Sequence, residues 1–159
     1  MNITGLQGVL ATLQSLPAEV VAKRGGPVKA SLAKGTRYLR DRAKENLRRS
    51  IAIGGSRSTG ELEKRVIASR GKAPFGGKGE RYLVRVKKRD YINADGVRTN
   101  PLMTANLLEY GSRHQDATPW LRPALRENGE KVIGIVTDEL NKRVQKVVAQ
   151  LAAANKARR

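Results

Sequence analysis

Along the first third of the chain, apolar residues recur every three to four positions, as they do on one face of a helix. A first group predicts an N-terminal helical segment within residues 1–26. Pro27 begins the next group and suits the first position of a helix, where the missing amide hydrogen costs little. The spacing therefore predicts a second helix over residues 27–48. Its apolar face consists of Val28, Leu32, Gly35, Leu39, Ala43 and Leu47.

The last third of the chain shows the same spacing and predicts a long C-terminal helix over residues 119–154. Pro119 and Pro123 fall near its start, where a helix does not need the amide hydrogens that proline lacks. The basic residues that close the sequence predict a frayed tail. The apolar face of this helix is expected to comprise Leu125, Val132, Val136, Leu140, Val144, Val147 and Leu151.

Between the helices the period changes to two. The segment "RYLVRVKK", residues 81–88, alternates strictly between apolar or aromatic and mostly basic positions, which predicts a half-buried strand with a basic outer face. A shorter strand is predicted around residues 65–69, and Asp95-Gly96 suits a hairpin turn. Residues 59–112 are thus expected to form a small antiparallel sheet with long basic loops. The whole chain, residues 1–159, is predicted to be one α+β domain with the last helix packed on the sheet.

Composition narrows the chemistry. Aromatic residues make up 4% of the 159 residues, so the core must be built mainly from aliphatic side chains, and the absence of cysteine excludes disulfides and thiolate metal sites. The N-terminus lacks the pattern of a signal peptide. No apolar run approaches the roughly 20 residues that span a bilayer. We expect a soluble protein with no membrane partner and no cofactor.

Charge is the strongest compositional signal, because 32 Lys and Arg oppose 14 Asp and Glu, a formal net charge of +18. The segment 64–89 alone contains ten basic residues and one acid, Glu80. A charge run is usually a solvated surface, but this excess continues through helix, loops and strand. It indicates sequence-independent attraction to a phosphate backbone or to an acidic protein. The candidate residues are Arg81, Arg85, Lys87 and Lys88 on the strand and Arg70, Lys72 and Lys78 in the loop.

The stretch "NLLEYGSRHQDATPWLRPAL", residues 106–125, has the look of a site. His114, the only histidine, lies between Glu109 and Asp116, which keeps a small nuclease or other enzyme open as a weak alternative. However, no nucleophile or second metal ligand has suitable spacing, and no glycine run ends as a phosphate loop does. We therefore expect no catalytic residue and no metal site. Glu109 is expected to cap a helix or pair with an arginine. Trp120 either packs the last helix onto the sheet, the favoured interpretation, or anchors a partner.

Three phrases, in this order, suggest a family: Thr59-Gly60-Glu61-Leu62, Leu108-Glu109-Tyr110-Gly111-Ser112 and Pro119-Trp120-Leu121-Arg122-Pro123-Ala124-Leu125. In this the chain resembles the tail-completion proteins of long-tailed bacteriophages, also called minor neck or head–tail joining proteins. The resemblance runs from about Pro27 to the end of the chain. It departs from the family in the link before Thr59 and in the glycine-rich basic segment 72–80.

The resemblance implies a structural role without enzymatic activity. Such proteins form a ring, here expected to be a homo-hexamer by analogy with neighbouring tail proteins, around the channel for double-stranded DNA. They contact the tail terminator, the connector stopper and possibly the tail tube. The protein would be made in the host cytoplasm and reside in the neck of the virion. The alternative is a free nucleic-acid-binding protein without sequence preference. The residues expected to form a structural corner are Glu109, Tyr110, Gly111, Pro119, Trp120, Arg122 and Pro123.

Overall fold

The computed structural model describes residues 26–53, 58–73, 79–92 and 96–156, so the predicted helical segment at the N-terminus lies outside the described residues. Helices and strands occur together, and the predicted α+β class is confirmed. Among the described helices, none has the combination of length and apolarity that crossing a bilayer requires. The elements in chain order are α1 (Pro27–Ile53), α2 (Glu61–Arg65), β1 (Val66–Arg70), β2 (Tyr82–Val86), β3 (Tyr91–Ile92), β4 (Arg98–Thr99), α3 (Pro101–Tyr110) and α4 (Leu121–Lys156).

The two long helices, α1 and α4, pack against each other in antiparallel orientation. Later residues of α1 contact earlier residues of α4. Side-chain hydrogen bonds mark this order: Lys34 Nζ to Glu139 Oε2 at 2.6 Å, Tyr38 Oη to Asn128 Oδ1 at 3.3 Å, and Asn46 Nδ2 to the Trp120 carbonyl at 3.4 Å.

The helices approach most closely at Gly35. A Cβ atom placed on Gly35 would lie 2.5 Å from Val136 Cγ2 and 3.3 Å from Val132 Cγ1. Both valines are stiff at χ1 because they are branched at Cβ, so they cannot readily move aside. Glycine is therefore the residue that this helix–helix contact requires.

The prediction that the last helix packs on the sheet is wrong for the main contact. Helix α4 packs mainly along α1, and α1 in turn packs against β1 and β2. The reason is geometric. A five-residue strand extends about 17 Å, whereas the 36 residues of α4 extend about 54 Å at the usual helical rise. Only another long helix can cover such a surface.

The sheet consists of two short antiparallel ribbons. The first joins β1 to β2, with register from Val66 opposite Val86 to Arg70 opposite Tyr82. The alternation predicted for β2 is present: its odd-numbered residues are exposed and its even-numbered residues are partly buried. The second ribbon pairs β3 with β4, and Gly96 between them has a φ of +74°.

One core joins the ribbon to the helices. Among the residues that the structure describes, Trp120 is the one aromatic member of this core, in keeping with an aliphatic composition. Val84 and Val86 of the inner face of β2 pack against this core. Its buried members are Ala43, Leu47, Leu62, Val66, Ala105, Leu108, Trp120 and Ala124.

Residues 59–112, predicted as sheet and loops, also contain the two helices α2 and α3. The start of α3 carries a signal that the prediction overlooked. Asn100 is the N-cap and its side chain accepts a hydrogen bond of 3.0 Å from the Met103 amide, while Pro101 occupies the first helical position. An Asn-Pro pair of this kind is a helix start as well as a turn.

Within residues 121–150, helix α4 differs from its predicted apolar face at one position, and the burial of Leu151 lies outside what the structure describes. Leu125 is 57% exposed, although the spacing placed it inside. Ala124 is fully buried and Leu121 packs against the core instead. The face that meets the core at the start of α4 is thus rotated by one residue.

Two glycines of the long helices test this packing in opposite directions. Gly35→Ala should destabilise the fold by about 1–3 kcal/mol, because the added methyl overpacks the contact with Val136. Gly134→Ala should stabilise it by about 0.5–1 kcal/mol, since the site is open space and alanine favours a helix. Urea unfolding of both variants measures the difference. Equal effects of the two substitutions would contradict the close approach at Gly35.

Candidate functional site

The stretch 106–125 forms a corner that turns the chain from α3 into α4. Backbone hydrogen bonds of 2.8 Å hold the turn: the Gly111 amide donates to the Leu107 carbonyl, and the Ser112 amide donates to the Gln115 carbonyl. The Thr118 amide also donates to the Leu108 carbonyl at 2.8 Å, which ties the end of the turn back to α3. The corner is therefore closed by its own backbone before any side chain acts.

The carboxylate of Glu109 is the centre of the corner. It is 5% exposed and comes from the last turn of α3. Its Oε2 atom accepts hydrogen bonds from the amides of Trp120 and Leu121, both at 2.8 Å. Its Oε1 atom accepts from the Arg122 amide at 3.0 Å and from Arg122 Nε at 2.8 Å. Glu109 thus both caps α4 and pairs with an arginine.

This cap accounts for every amide at the start of α4. The first four N–H positions of a helix have no partner within the helix. Here three of those amides, at residues 120–122, donate to one carboxylate, and the fourth position is Pro123, which has no amide hydrogen. The negative charge also lies at the positive end of the helix dipole. The combination of Glu109 with Pro123 therefore satisfies the N-terminus of α4 completely.

Arg122 and Trp120 fasten the corner from two sides. The Arg122 guanidinium donates to the Glu109 carbonyl at 2.9 Å and lies 4.8 Å from the centroid of the Tyr110 ring. The Trp120 ring is buried, and its Nε1 donates to the Ala105 carbonyl of α3 at 3.3 Å. Trp120 therefore fixes the start of α4 to α3 within the core that also contains Val66 of β1.

Burial and hydrogen bonding act against each other on the pKa of Glu109. Burial alone raises that pKa, because it disfavours the charged form. Donation from the amides of Leu121 and Trp120, and then from Arg122, favours the carboxylate more strongly. The pKa of Glu109 therefore lies below its ordinary value. The carboxylate is ionised at neutral pH, as a helix cap requires.

Gly111 is required by the turn. Its φ of +74° and ψ of −175° lie in a region that is almost restricted to glycine. A Cβ atom there would also lie 2.9 Å from both the Ala117 nitrogen and the Gln115 carbonyl oxygen. Since both obstacles are backbone atoms, neither can move aside without opening the corner. Pro119 is exposed just before α4, and Pro123 lies in its first turn.

The acid–base candidates do not converge. Both oxygens of Glu109 are engaged in the cap, while His114 and Asp116 lie exposed in the turn. The His114 amide donates to Ser112 Oγ at 3.2 Å, an ordinary turn contact. Within the described residues, no group of three or more histidine, aspartate or glutamate side chains could hold a metal ion. The corner has the contacts of a structural joint.

The basic candidates divide between β2 and the loop before it. Arg81, Arg85, Lys87 and Lys88 are all exposed. Arg81, Arg85 and Lys87 alternate with the inward-facing residues of β2, so they lie on the outer face of the β1–β2 ribbon or continue it. Strand geometry separates Arg85 from Lys87 by about 7 Å. Arg70 is exposed but engaged by Glu80 through bonds of 2.8 and 2.9 Å. Lys72 is exposed, and Lys78 lies outside the described residues.

Most cations of α1 form ion pairs, unlike those on and beside β2. Cations of α1 pair with acids, for example Lys34 with Glu139 and Arg48 with Glu63, both at 2.6 Å. By contrast, the cations on β2 and immediately before and after it have no ion-pair partner within the described part of the chain. We call this set the basic ribbon. Its members are Arg81, Arg85, Lys87, Lys88 and Arg89.

Some contributors to the corner carry no signal in the sequence. Asn46 is separated from Trp120 by 74 positions, yet its side chain donates to the Trp120 carbonyl. The Ala105 carbonyl accepts from the Trp120 ring, and any residue type could supply that carbonyl. Only the three-dimensional structure could identify these two contacts.

Comparison with known proteins gives no independent identification: no protein-family model, no curated protein and no solved structure matches this chain.

The cap can be tested by removing its charge. Glu109→Gln keeps the size of the side chain but loses the carboxylate that accepts four hydrogen bonds, so the free energy of unfolding should fall by about 2–3 kcal/mol. The midpoint of thermal unfolding should fall by about 5–10 °C. Glu127→Gln, an exposed acid on α4, is the matched control and should change little. Similar midpoints for the two variants would contradict the cap.

Acid should abolish the same contribution. The pKa of Glu109 in the folded state lies below its ordinary value of 4.5. Its stabilisation is therefore fully present above pH 4.5 and is lost as pH falls through the folded pKa. The stability difference between wild type and Glu109→Gln should thus shrink below pH 4.5. Chemical denaturation at several pH values measures it, and a difference independent of pH would exclude an ionised cap.

Proposed function

We propose that this chain is a structural protein of the neck of a long-tailed bacteriophage. As a tail-completion protein it would join the tail to the head connector, as a homo-hexameric ring around the DNA channel. The main support is that two of the sequence motifs that resemble the family, residues 108–112 and 119–125, contact each other in the corner. Glu109 of the first phrase caps the helix that begins within the second, at Leu121.

Such a joint suits an assembly component. It fixes the angle between α3 and α4 through buried hydrogen bonds. It also occupies the Glu109 carboxylate, which an enzyme would need free. Both carboxylate oxygens already accept hydrogen bonds from Trp120 and Arg122. A protein that transmits force between head and tail needs fixed surfaces more than it needs a reactive group. This supports a structural role in the virion and no enzymatic activity.

The basic ribbon supports the channel part of the proposal. Its unpaired cations can exchange their counterions for DNA phosphates without first breaking an ion pair. In a ring, each subunit contributes the same ribbon, so the lumen would carry a repeated band of positive charge. Contact by backbone charge alone is independent of sequence and lets DNA slide. The proposed protein neighbours are the tail terminator, the connector stopper and the tail tube.

The same ribbon favours a second candidate, a free nucleic-acid-binding protein without sequence preference. The two candidates differ in the behaviour of the isolated chain. A neck protein should bind duplex weakly, with a dissociation constant of about 10⁻⁴ to 10⁻⁶ M at physiological salt. A free binding protein should bind tightly as a monomer.

Particle assembly tests the proposed function directly. Infected cells in which the gene is disrupted should accumulate separate heads and tails, and purified protein should restore joined particles. Images of the intact neck should show the chain as a ring. Joined, infective virions that lack the chain would overturn the proposal. Tight duplex binding by the monomer in the same preparation would favour the second candidate.

The role of the ribbon can be measured from the salt dependence of DNA binding. Affinity for DNA falls as salt rises, so the slope of log affinity against log salt is negative. A triple substitution of Arg85, Lys87 and Lys88 by Gln should reduce the magnitude of this slope by roughly 2–3, since each lost phosphate contact removes about 0.9. The matched control replaces Arg126, Lys142 and Lys146 of α4, which are also exposed, by Gln. The control should reduce the magnitude of the slope by less than about one. Equal slopes for the two variants would show that the ribbon has no special part.

A further inference from the structure

The last turns of α4 extend beyond the helix that packs along it. Lys34 of α1 donates to Glu139 of α4, and the two helices are antiparallel. Pro27, where α1 begins, precedes Lys34 by seven residues and therefore lies beside about residue 146 of α4. Residues 147–156 thus extend about 15 Å past the start of α1. Within the described part of the chain, α1 is the element that packs extensively along α4, so these turns lie beyond its cover.

The apolar face of α4 continues into these turns. Leu140 and Val144 lie beside α1 and are 4% and 6% exposed, whereas Val148, one turn further along, is 48% exposed. Val144 and Val148 are four residues apart and therefore share a face of the helix. Around Val148 the sequence VVAQLAAA, residues 147–154, contains no charged residue, although 29% of the whole chain is charged. The end of α4 thus carries an apolar surface that no other described element covers extensively.

The segment before α1 has the matching composition. Residues 1–18 contain no charged side chain, and Glu19 is the first. Five apolar residues of this segment recur at the spacing of one helix face. They are Leu6, Val9, Leu10, Leu13 and Leu16. An apolar face of this length gains free energy when another apolar surface covers it.

This segment joins the described structure beside the end of α4. Gly26 and Pro27 lie next to the residues of α4 at which the cover by α1 ends. The ten residues that lead from Leu16 to Gly26 reach up to about 33 Å when extended. That reach exceeds the uncovered length of α4, which is about 15 Å. The segment can therefore return along the whole of the uncovered end.

Other exposed apolar residues suit the segment less well. The apolar residues exposed on α3 lie far from the start of α1, because α3 contacts Trp120, and Trp120 contacts Asn46. Asn46 lies about 28 Å along α1 from its first residue, so reaching α3 would use most of the extended connection. Leu83, exposed on the outer face of β2, stands between Arg81 and Arg85 on that face and forms no continuous apolar surface.

We propose that residues 6–16 dock on the last turns of α4 of the same chain, with their apolar face against Val147 and Val148. The docked segment prolongs the antiparallel pair that α1 and α4 form, and it covers the part of α4 that α1 leaves open. Attachment through Gly26 favours the same chain over a second copy, because a short tether holds the segment at an effective concentration of about millimolar. Because only the fold and the sequence carry this docking, it is independent of the proposed function.

A chain without cysteine allows the docking to be trapped by an introduced disulfide. Two variants each combine Val148→Cys with a cysteine in the segment, Leu10→Cys in one and Leu13→Cys in the other. The control combines Leu13→Cys with Glu127→Cys, an exposed residue of α4 that lies about 31 Å from Val148 along the helix. A disulfide needs Cα atoms within about 7 Å of each other. At least one test pair should therefore form it at least about tenfold faster than the control.

Electrophoresis without reductant identifies the occupant. Docking within one chain gives a cross-linked monomer, whereas docking on a second copy gives a cross-linked dimer. A dimer as the main product would overturn the inference. Equal rates for the test pairs and the control, or no disulfide in either test pair, would overturn it as well.

A second arm uses the thermal unfolding of variants without cysteine. Val148→Gln and the double substitution Leu10→Gln with Leu13→Gln should each lower the unfolding midpoint by about 2–4 °C, since each weakens the same contact. Combined, they should lower it by less than the sum, because substitutions of residues in contact are not additive. Ile92→Gln, at an exposed apolar residue of β3, is the control and should add its full shift to that of the segment variant. A full sum for Val148→Gln would show that the segment does not contact α4, and the inference would be wrong.

Discussion

The fold depends on one carboxylate at the start of its longest helix. A 36-residue helix must satisfy its first amides, and a buried start cannot rely on water for this. In this chain the solution comes from α3: Glu109 accepts three of those amides, and Pro123 removes the need for a fourth partner. The same carboxylate holds Arg122, which in turn covers Tyr110. The direction of α4 and its packing along α1 follow from this joint.

Charge is distributed unevenly over this framework. Acids of α1, α2 and α4 pair with several cations of the two long helices, as in the pairs Arg49–Glu45 and Arg143–Glu139. Other cations of these helices, such as Lys44 and Lys142, form no ion pair within the described residues. The five cations of the basic ribbon are left without an acid among the described residues. An exposed ion pair contributes little stability, so the unpaired ribbon costs the fold little. It also leaves one surface free to attract a polyanion.

The spacing of apolar residues was sufficient to predict an element where one period, helical or alternating, dominates the segment. The spacing in α1 and the alternation in β2 predict both elements because each buries one face of a regular backbone. Helix α3 was missed because residues 59–112 were predicted to form only sheet and loops, although Asn100 caps a helix and Pro101 begins it. The packing of α4 on α1 was missed because periodicity identifies an apolar face but not its partner. Capping or pairing could be expected for Glu109 from its neighbourhood, but the choice of three amides 11 to 13 residues away depends on the turn at Gly111. The partners Asn46 and Ala105 have no local signal at all.

Amide hydrogen exchange tests the central claim most directly. The amides of Trp120, Leu121 and Arg122 belong to a helix start, where exchange is normally fast because those groups lack helical partners. If Glu109 holds them as described, they should be protected as strongly as amides in the middle of α1. Fast exchange at these three positions in a chain whose α1 amides remain protected would show that the corner is open in solution, and the account of the fold would be wrong.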